Sequence, residues 1–194
     1  MRYKNKILPG ISSCKIILCI AIFFFYLCGR SSAQQQAYFN NLTEKDGLSN
    51  NRVTCFYKDR AGYMWIGTES GLNLYNGNSW KIYKASPRKK NYLSNSFITD
   101  IEEDAKGSIW VCTRKGLNRI DVAAGTTEVF LPGDSANAND IPSDLVWDTY
   151  PDSDTSIWIA ADAKDFCRYK PQEKKFYYYN FREYLRKNNI EIQS

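Results

Sequence analysis

The sequence predicts an all-β protein assembled from a repeated unit, and three observations carry that expectation. The chain matches itself at a spacing of about 45 residues. Short runs rich in Val, Ile, Thr, Tyr, Phe and Trp alternate with turns that carry Asp, Asn and Gly. Beyond Ala33 no segment shows a sustained helical period, apart from a short turn near Arg182–Asn188.

The repeat is specific. Gly47–Asn76 falls on Tyr92–Asp121 without a gap, and eleven of thirty positions are identical. Chance would give about two at ordinary residue frequencies. The identities include Leu48/Leu93, Ser49/Ser94, Asn50/Asn95, Asp59/Asp104, Gly62/Gly107, Trp65/Trp110, Thr68/Thr113, Gly71/Gly116 and Asn73/Asn118. A weaker third copy follows the second at a slightly longer offset, with Ile141 for Leu93, Val146 for Ile98, Asp152 for Asp104 and Ser156-Ile157-Trp158 for Ser108-Ile109-Trp110.

Each unit reads as four short strands. In the first, Val53–Tyr57 is a run of β-formers. Asp59-Arg-Ala-Gly62 turns it, Asp bonding the backbone ahead and Gly relieving the exit. Met64–Thr68 is the second strand, Glu69-Ser70-Gly71 leads into Leu72–Tyr75, and Asn76-Gly77-Asn78 is a hairpin signal before Trp80–Tyr83. The second unit repeats this with Asp104–Gly107 and ends on Glu128–Leu131; the third ends on Phe176–Tyr179. The second strands, Met64-Trp65-Ile66, Ile109-Trp110-Val111 and Ile157-Trp158-Ile159, are apolar on both faces, where a half-exposed strand would alternate. A four-stranded antiparallel unit of about 45 residues whose sheet is buried on both sides is one blade of a β-propeller. The expected organisation is three four-stranded blades in an incomplete ring, at about 47–86, 92–131 and 141–180. The part beyond the leader has room for about three and a half such units, fewer than a closed propeller needs. The expectation is a fragment of a longer chain whose missing blades complete it, or a chain that self-associates.

The segment Met1–Ala33 reads as a secretory signal peptide. Arg2, Lys4, Lys6 and Lys15 precede the apolar run Ile16–Leu27, and Ser31 and Ala33 are small residues before a cut at Gln34. That apolar run is shorter than the roughly 20 residues a spanning helix needs. The alternatives are an uncleaved membrane anchor or a lipoprotein modified at Cys28; either way the rest is exported to the periplasm.

Composition narrows the function. The chain of 194 residues contains no histidine, which removes His-based nucleophile pairs and zinc sites. The net charge of +5 resides in the leader, which holds Arg2, Lys4, Lys6, Lys15 and Arg30 and no acid; from Gln34 onward basic and acidic groups are equal in number. A nucleic-acid surface is not expected. Cys55, Cys112 and Cys167 lack a C-x-x-C spacing and read as small buried apolar residues. Asp134–Asp140 is rich in Asp and Asn but does not place ligands as an EF-hand loop does, so it reads as a linker. No metal and no cofactor is expected.

Gly47-Leu-Ser-Asn-Asn-Arg-Val, Asp59-x-x-Gly62 and Met64-Trp-Ile-Gly-Thr-x-x-Gly-Leu-Asn-Leu-Tyr-Asn76 together resemble the two-component regulator propeller repeat. The second unit is equally close, with Cys112 where the repeat usually has Gly; the third keeps Ile157-Trp158-Ile159 and lacks the Gly-Leu pair. The resemblance spans about 38–180. It implies an exported sensor region of a hybrid histidine kinase, with further propeller blades, a membrane helix and kinase modules elsewhere, and an oligosaccharide as the ligand. It implies no catalysis in this chain. The alternatives are a structural or protein-interaction propeller and a glycan-active enzyme. The last would draw on the carboxylates Asp100, Glu102, Glu103 and Asp104, of which Asp104 reads as a turn residue and the others as exposed strand ends. Tyr177-Tyr178-Tyr179 reads as an edge strand rather than a sugar platform.

Four antiparallel strands put the loops from strand two to three, and from each fourth strand to the next first strand, at one end. That end receives Ser49–Arg52, Glu69–Ser70, Ser94–Phe97, Arg114–Lys115, Ser143–Asp144 and Asp162–Lys164. Binding groups sit on loops held by a rigid scaffold. The ligand-binding candidates are therefore Arg52, Glu69, Phe97 and Arg114.

Overall fold

The computed structural model describes residues 39–86, 92–133, 140–161, 165–180, 183 and 186–187. The leader, the Asp162–Lys164 loop and most of the Asp134–Asp140 linker lie outside the described residues. The chain divides into two compact units, Met1–Asn40 and Asn41–Ser194. Of the first, Phe39 and Asn40 are described, and both are exposed. The second holds the twelve strands found among the described residues.

Three four-stranded antiparallel sheets follow one another along the chain, each in sequential strand order. Blade 1 comprises β1 (Val53–Lys58), β2 (Met64–Thr68), β3 (Gly71–Tyr75) and β4 (Trp80–Tyr83). Blade 2 comprises β5 (Ile98–Glu103), β6 (Ser108–Thr113), β7 (Gly116–Asp121) and β8 (Thr126–Phe130). Blade 3 comprises β9 (Val146–Pro151), β10 (Ile157–Ala161), β11 (Asp165–Lys170) and β12 (Lys175–Asn180). A 3-10 turn at Glu44–Asp46, capped reciprocally by Thr43 and Asp46, leads into blade 1 and is not evident in the repeat pattern.

The register is the same in each blade. Trp65 pairs with Tyr57 and Leu74, Trp110 with Glu102 and Arg119, Trp158 with Tyr150 and Arg168. The three tryptophans thus hold equivalent places, as the repeat predicts. A register shift recurs where each first strand pairs with its second, between Val53 and Cys55, between Ile98 and Asp100, and opposite Val146 and Asp148.

Alternation along the strands gives every blade a front, towards the next blade in sequence, and a back. Trp65, Leu72, Leu74 and Tyr83 on the front of blade 1 pack with Leu93, Ile98, Ile101, Ile109, Val111 and Ile120 of blade 2. Trp110, Cys112, Leu117 and Phe130 on the front of blade 2 pack with Val146, Ile157, Ile159, Tyr169 and Phe176 of blade 3. Blade 2 is therefore covered on both sides, and every residue of β6 is buried. Each buried tryptophan removes enough apolar area to contribute roughly 4–6 kcal/mol before entropy is set against it.

An indole N–H buried in such an interface needs an acceptor. The Asp of each first turn supplies it: Trp65 Nε1 donates to Asp59 Oδ2 at 2.8 Å, Trp110 Nε1 to Asp104 Oδ2 at 3.0 Å and Trp158 Nε1 to Asp152 Oδ2 at 2.9 Å. The other carboxylate oxygen of Asp59 and of Asp104 accepts from the backbone of the same turn. Arg60 ties adjacent turns, its amide donating to Glu103 Oε2 at 2.9 Å and its guanidinium to the carbonyls of Asp104 and Ala105. The Glu103 side chain is thereby buried, and Asp100 and Glu102 are half-buried within β5, so none of the three is the exposed strand end the sequence suggests.

Among the described residues the cysteines are free, with Cys112 and Cys167 buried and Cys55 half-buried. Burial raises all three thiols, Cys55 to about 11 and Cys167 to about 12, so none is a thiolate at neutral pH.

The turn glycines Gly62 and Gly107 have φ of +90° and +83°, but the third unit has Thr155 at that place with φ of +68°. A β-branched residue there is strained by about 1–2 kcal/mol. Thr155→Gly is expected to raise stability by about 1 kcal/mol, after loss of an exposed hydrogen bond from Gln172, seen as a higher urea midpoint at unchanged slope.

Candidate functional site

At the loop end predicted to bind, one polar network recurs. In blade 1 the Ser49 amide donates to Asn73 Oδ1 at 2.8 Å, and Asn73 Nδ2 donates back to Ser49 Oγ at 2.8 Å and to the Ile66 carbonyl at 2.9 Å. Ser49 Oγ also shares a proton with Thr68 Oγ1 at 2.8 Å, and Thr68 Oγ1 accepts from the Ser70 amide. In blade 2 the same bonds join Ser94, Asn118, Thr113, Val111 and Lys115. Asn50 and Asn95 accept from the amides of Arg52 and Phe97 at 2.8 Å, fixing the entry into each first strand. The self-match contains these Ser, Asn and Thr residues, but sequence reasoning gave them no role.

The network brings the four predicted residues together in two pairs. Glu69 N donates to the Arg52 carbonyl at 3.1 Å, and Arg114 N to the Phe97 carbonyl at 3.2 Å. The side chains then meet. Arg52 Nη1 lies 3.1 Å from Glu69 Oε2, with Arg52 77% exposed. The Arg114 guanidinium carbon lies 3.6 Å from the Phe97 ring centre. Arg52 and Phe97 are equivalent positions, as are Glu69 and Arg114. One backbone arrangement thus presents an ion pair on blade 1 and a cation–π pair on blade 2. Each exposed pair contributes at most about 1 kcal/mol. The fold does not depend on them, and they present charge and an aromatic face to solvent.

Blade 3 lacks the network. Pro142 replaces Ser94, Ala161 replaces Thr113 and, in the β11 register, Cys167 replaces Asn118. Ser143 and Asp144 lie in the described loop, and Gly116 N donates to the Asp144 carbonyl at 2.6 Å, joining blade 2 to blade 3 at this end.

A second polar group lies on the first strands. Asp100 Oδ2 accepts from the Thr149 amide at 3.2 Å, and Asp100, Glu102 and Asp148 face one another electrostatically. Burial raises the pKa of Asp100 and of Glu102, and the neighbouring carboxylates raise both further. Among the described residues no set of His, Cys, Asp and Glu side chains is disposed to hold a metal.

Two outcomes are expected. In a double-mutant cycle of Ser94→Ala and Asn118→Ala, equilibrium unfolding should give a coupling of about 0.5–3 kcal/mol, because either single change orphans a buried partner. Asp100 has a folded pKa above its usual 3.8, so the folded chain holds its proton to higher pH than the unfolded chain. The cost of burying its charge is absent below the ordinary carboxylate range and complete once pH exceeds the raised value. Asp100→Asn should therefore gain stability relative to the unmodified chain between about pH 4 and about pH 7, measured by urea midpoints at both.

Comparison with known proteins agrees with this geometry. Residues 47–70 and 92–115 match the two component regulator propeller family, and each segment holds the Ser and the Thr of one network, whose Asn (Asn73 or Asn118) lies just beyond it. Histidine kinase P4 of Formosa agariphila is 31% identical over 71 residues, which are 37% of this chain and 5% of that protein. The extracellular domain assigned to a hybrid two component system of B. thetaiotaomicron superposes with a TM-score of 0.66 at 21% identity, over 73% of this chain and 20% of that one. The chain thus spans a small part of either, and the solved structure shares its fold. The family match thus falls on blades 1 and 2, at the segments 47–70 and 92–115.

Proposed function

We propose that the chain is part of a periplasmic ligand-sensing propeller of a two-component regulatory system, responding to oligosaccharide and without catalytic activity of its own. The observation that carries this is the division between a repeated loop scaffold and the unlike pairs it displays. Asn73 and Asn118 are fully buried and hold two equivalent loops in one conformation. The side chains on top, Arg52 with Glu69 and Phe97 with Arg114, differ in chemistry and contribute little to stability. A guanidinium, a carboxylate and an aromatic face supply the donors, acceptor and stacking surface that sugar hydroxyls and pyranose rings require. Export is supported by the leader and by the extracellular placement of the structural neighbour. The partner on the cytoplasmic side would be a kinase module elsewhere in a longer protein. Membrane attachment would come from the leader or from a helix outside this chain.

The carboxylates Asp100 and Glu102 favour the non-catalytic reading over a glycosidase. Asp100 is engaged by the backbone of blade 3, at the seam between blades rather than at the loop end.

The test is a titration of the chain against a panel of oligosaccharides, read by calorimetry and by product analysis. Binding without turnover is expected, with a stabilisation of about 2.7 kcal/mol when ligand is at about 100 times its Kd. Substitution of Arg52, Glu69, Phe97 and Arg114 together by Ala should weaken that binding at least tenfold with the fold intact. Unchanged affinity would exclude this end, and no binding by any sugar would favour a structural or protein-interaction propeller.

A further inference from the structure

Blades 1 and 2 carry opposite charge at equivalent places on the loop end. The turn from second to third strand is Glu69-Ser70 in blade 1 and Arg114-Lys115 in blade 2, one negative charge against two positive ones. In blade 1 the charges cancel. Arg52 Nη1 lies 3.2 Å from Glu69 Oε1 and 3.1 Å from Oε2, so guanidinium and carboxylate satisfy each other. In blade 2 Phe97 stands where blade 1 has Arg52, and the Arg114 guanidinium lies over its ring. A ring attracts a cation through its quadrupole, but it neither cancels the charge nor takes up the fork of N–H donors as a carboxylate does. Among the described residues no carboxylate forms an ion pair with Arg114 or Lys115. Asp144 reaches this loop through its carbonyl, which accepts from Gly116 N at 2.6 Å. The backbone beneath the two cations is fixed, Arg114 N donating to the Phe97 carbonyl at 3.2 Å and Lys115 N to Thr113 Oγ1 at 3.1 Å.

We propose that the ligand is an acidic glycan, whose carboxylate or sulfate is received by Arg114 with Lys115 beside it. This rests on the oligosaccharide reading above and narrows it to one chemical class. The guanidinium fork matches two oxygens of either group, and the ammonium adds a second positive charge from the same turn. Phe97 acts through Arg114 and is a positioning residue. It holds a long side chain in place before ligand arrives, which lowers the entropy lost on binding. Arg52 and Glu69, neutral as a pair, offer donors and acceptors to uncharged hydroxyls and neither attract nor repel an acid. Two loops of one backbone form thus divide the recognition, one for hydroxyls and one for the anion.

The test compares acidic sugars with neutral forms of the same skeleton, by calorimetry on the full chain at neutral pH. One arm uses an oligogalacturonate and its methyl ester, the other a sulfated galactan oligosaccharide and its desulfated form. In at least one arm the acidic form should bind about tenfold more tightly than the neutral one, and the arm that responds identifies the group. Arg114→Gln should remove that preference, and Arg114→Lys should keep part of it. Affinity for the acidic form should fall as salt is raised, and fall less in Arg114→Gln. Phe97→Leu should weaken the acidic form and leave the neutral form unchanged, whereas Phe97→Tyr should bind as the unmodified chain does. Urea midpoints check that each variant is folded. Neutral sugars that bind as tightly as acidic ones would overturn the inference and leave the oligosaccharide reading standing. So would an acid preference that survives Arg114→Gln, which would put the anion elsewhere. No binding by any sugar, acidic or neutral, would overturn both.

Discussion

The bond from the indole N–H to the turn Asp is the interaction on which the rest of the structure depends. Blades stacked face to face need large apolar side chains between them, and tryptophan supplies the most area per residue. Its one polar atom must then be satisfied in a dry interface. The Asp at the start of the preceding turn does this from the same blade, so no partner from the neighbour is required. In blades 1 and 2 the same carboxylate also holds its turn closed through the backbone. A single side chain thus sets the turn, the orientation of the ring and the chemistry of the interface. In blade 3, where the ring is less buried, Arg168 joins the carboxylate, and the pKa of Asp152 is lowered by the Trp158 bond first and by the Arg168 charge among lesser causes.

The opposite end of the blade is governed by a different rule, that a buried polar network is kept whole or discarded whole. Ser, Asn and Thr hold the loop in blades 1 and 2. Blade 3 has none of the three, with Pro142, Cys167 and Ala161 in their places. Removing one would strand buried donors and acceptors at about 1–3 kcal/mol each; replacing the set by apolar groups of similar size avoids that cost. Cys167 then joins the apolar cluster between blades 2 and 3. The third unit differs from the others at these positions, while its sheet keeps the same strand order and register.

Much of this was legible in the sequence, for definite reasons. The self-match located the strands because turn residues and tryptophans recur at fixed offsets, and both are dictated by backbone geometry. Arg52, Glu69, Phe97 and Arg114 could be placed at one end from strand parity alone. Their pairing could not, because the members of each pair lie on different segments and meet only through the β1–β2 and β5–β6 registers. The substitution of Cys167 for Asn118 was hidden for a similar reason: β11 is offset by one position more than β10. Fronts and backs were not separable either. Both faces of a central strand are apolar, so the period-two signal that would distinguish them is absent.

Stacking also distributes stability unevenly along the chain. Each blade contacts only its neighbours, so stability is close to a sum of blade terms and interface terms. Among the described residues, blade 2 has two interfaces, which is why its second strand is wholly buried, whereas blades 1 and 3 have one each. By the contacts among the described residues alone, opening costs least at blades 1 and 3 and most at blade 2. The two loop pairs straddle this gradient. Arg52 and Glu69 ride on an outer blade, while Phe97 and Arg114 ride on the blade held from both sides. Anything that covers the back of blade 1 therefore stiffens the loop that carries Arg52, without touching it, because that loop is anchored through Asn73 on the same face as Phe56 and Ile66.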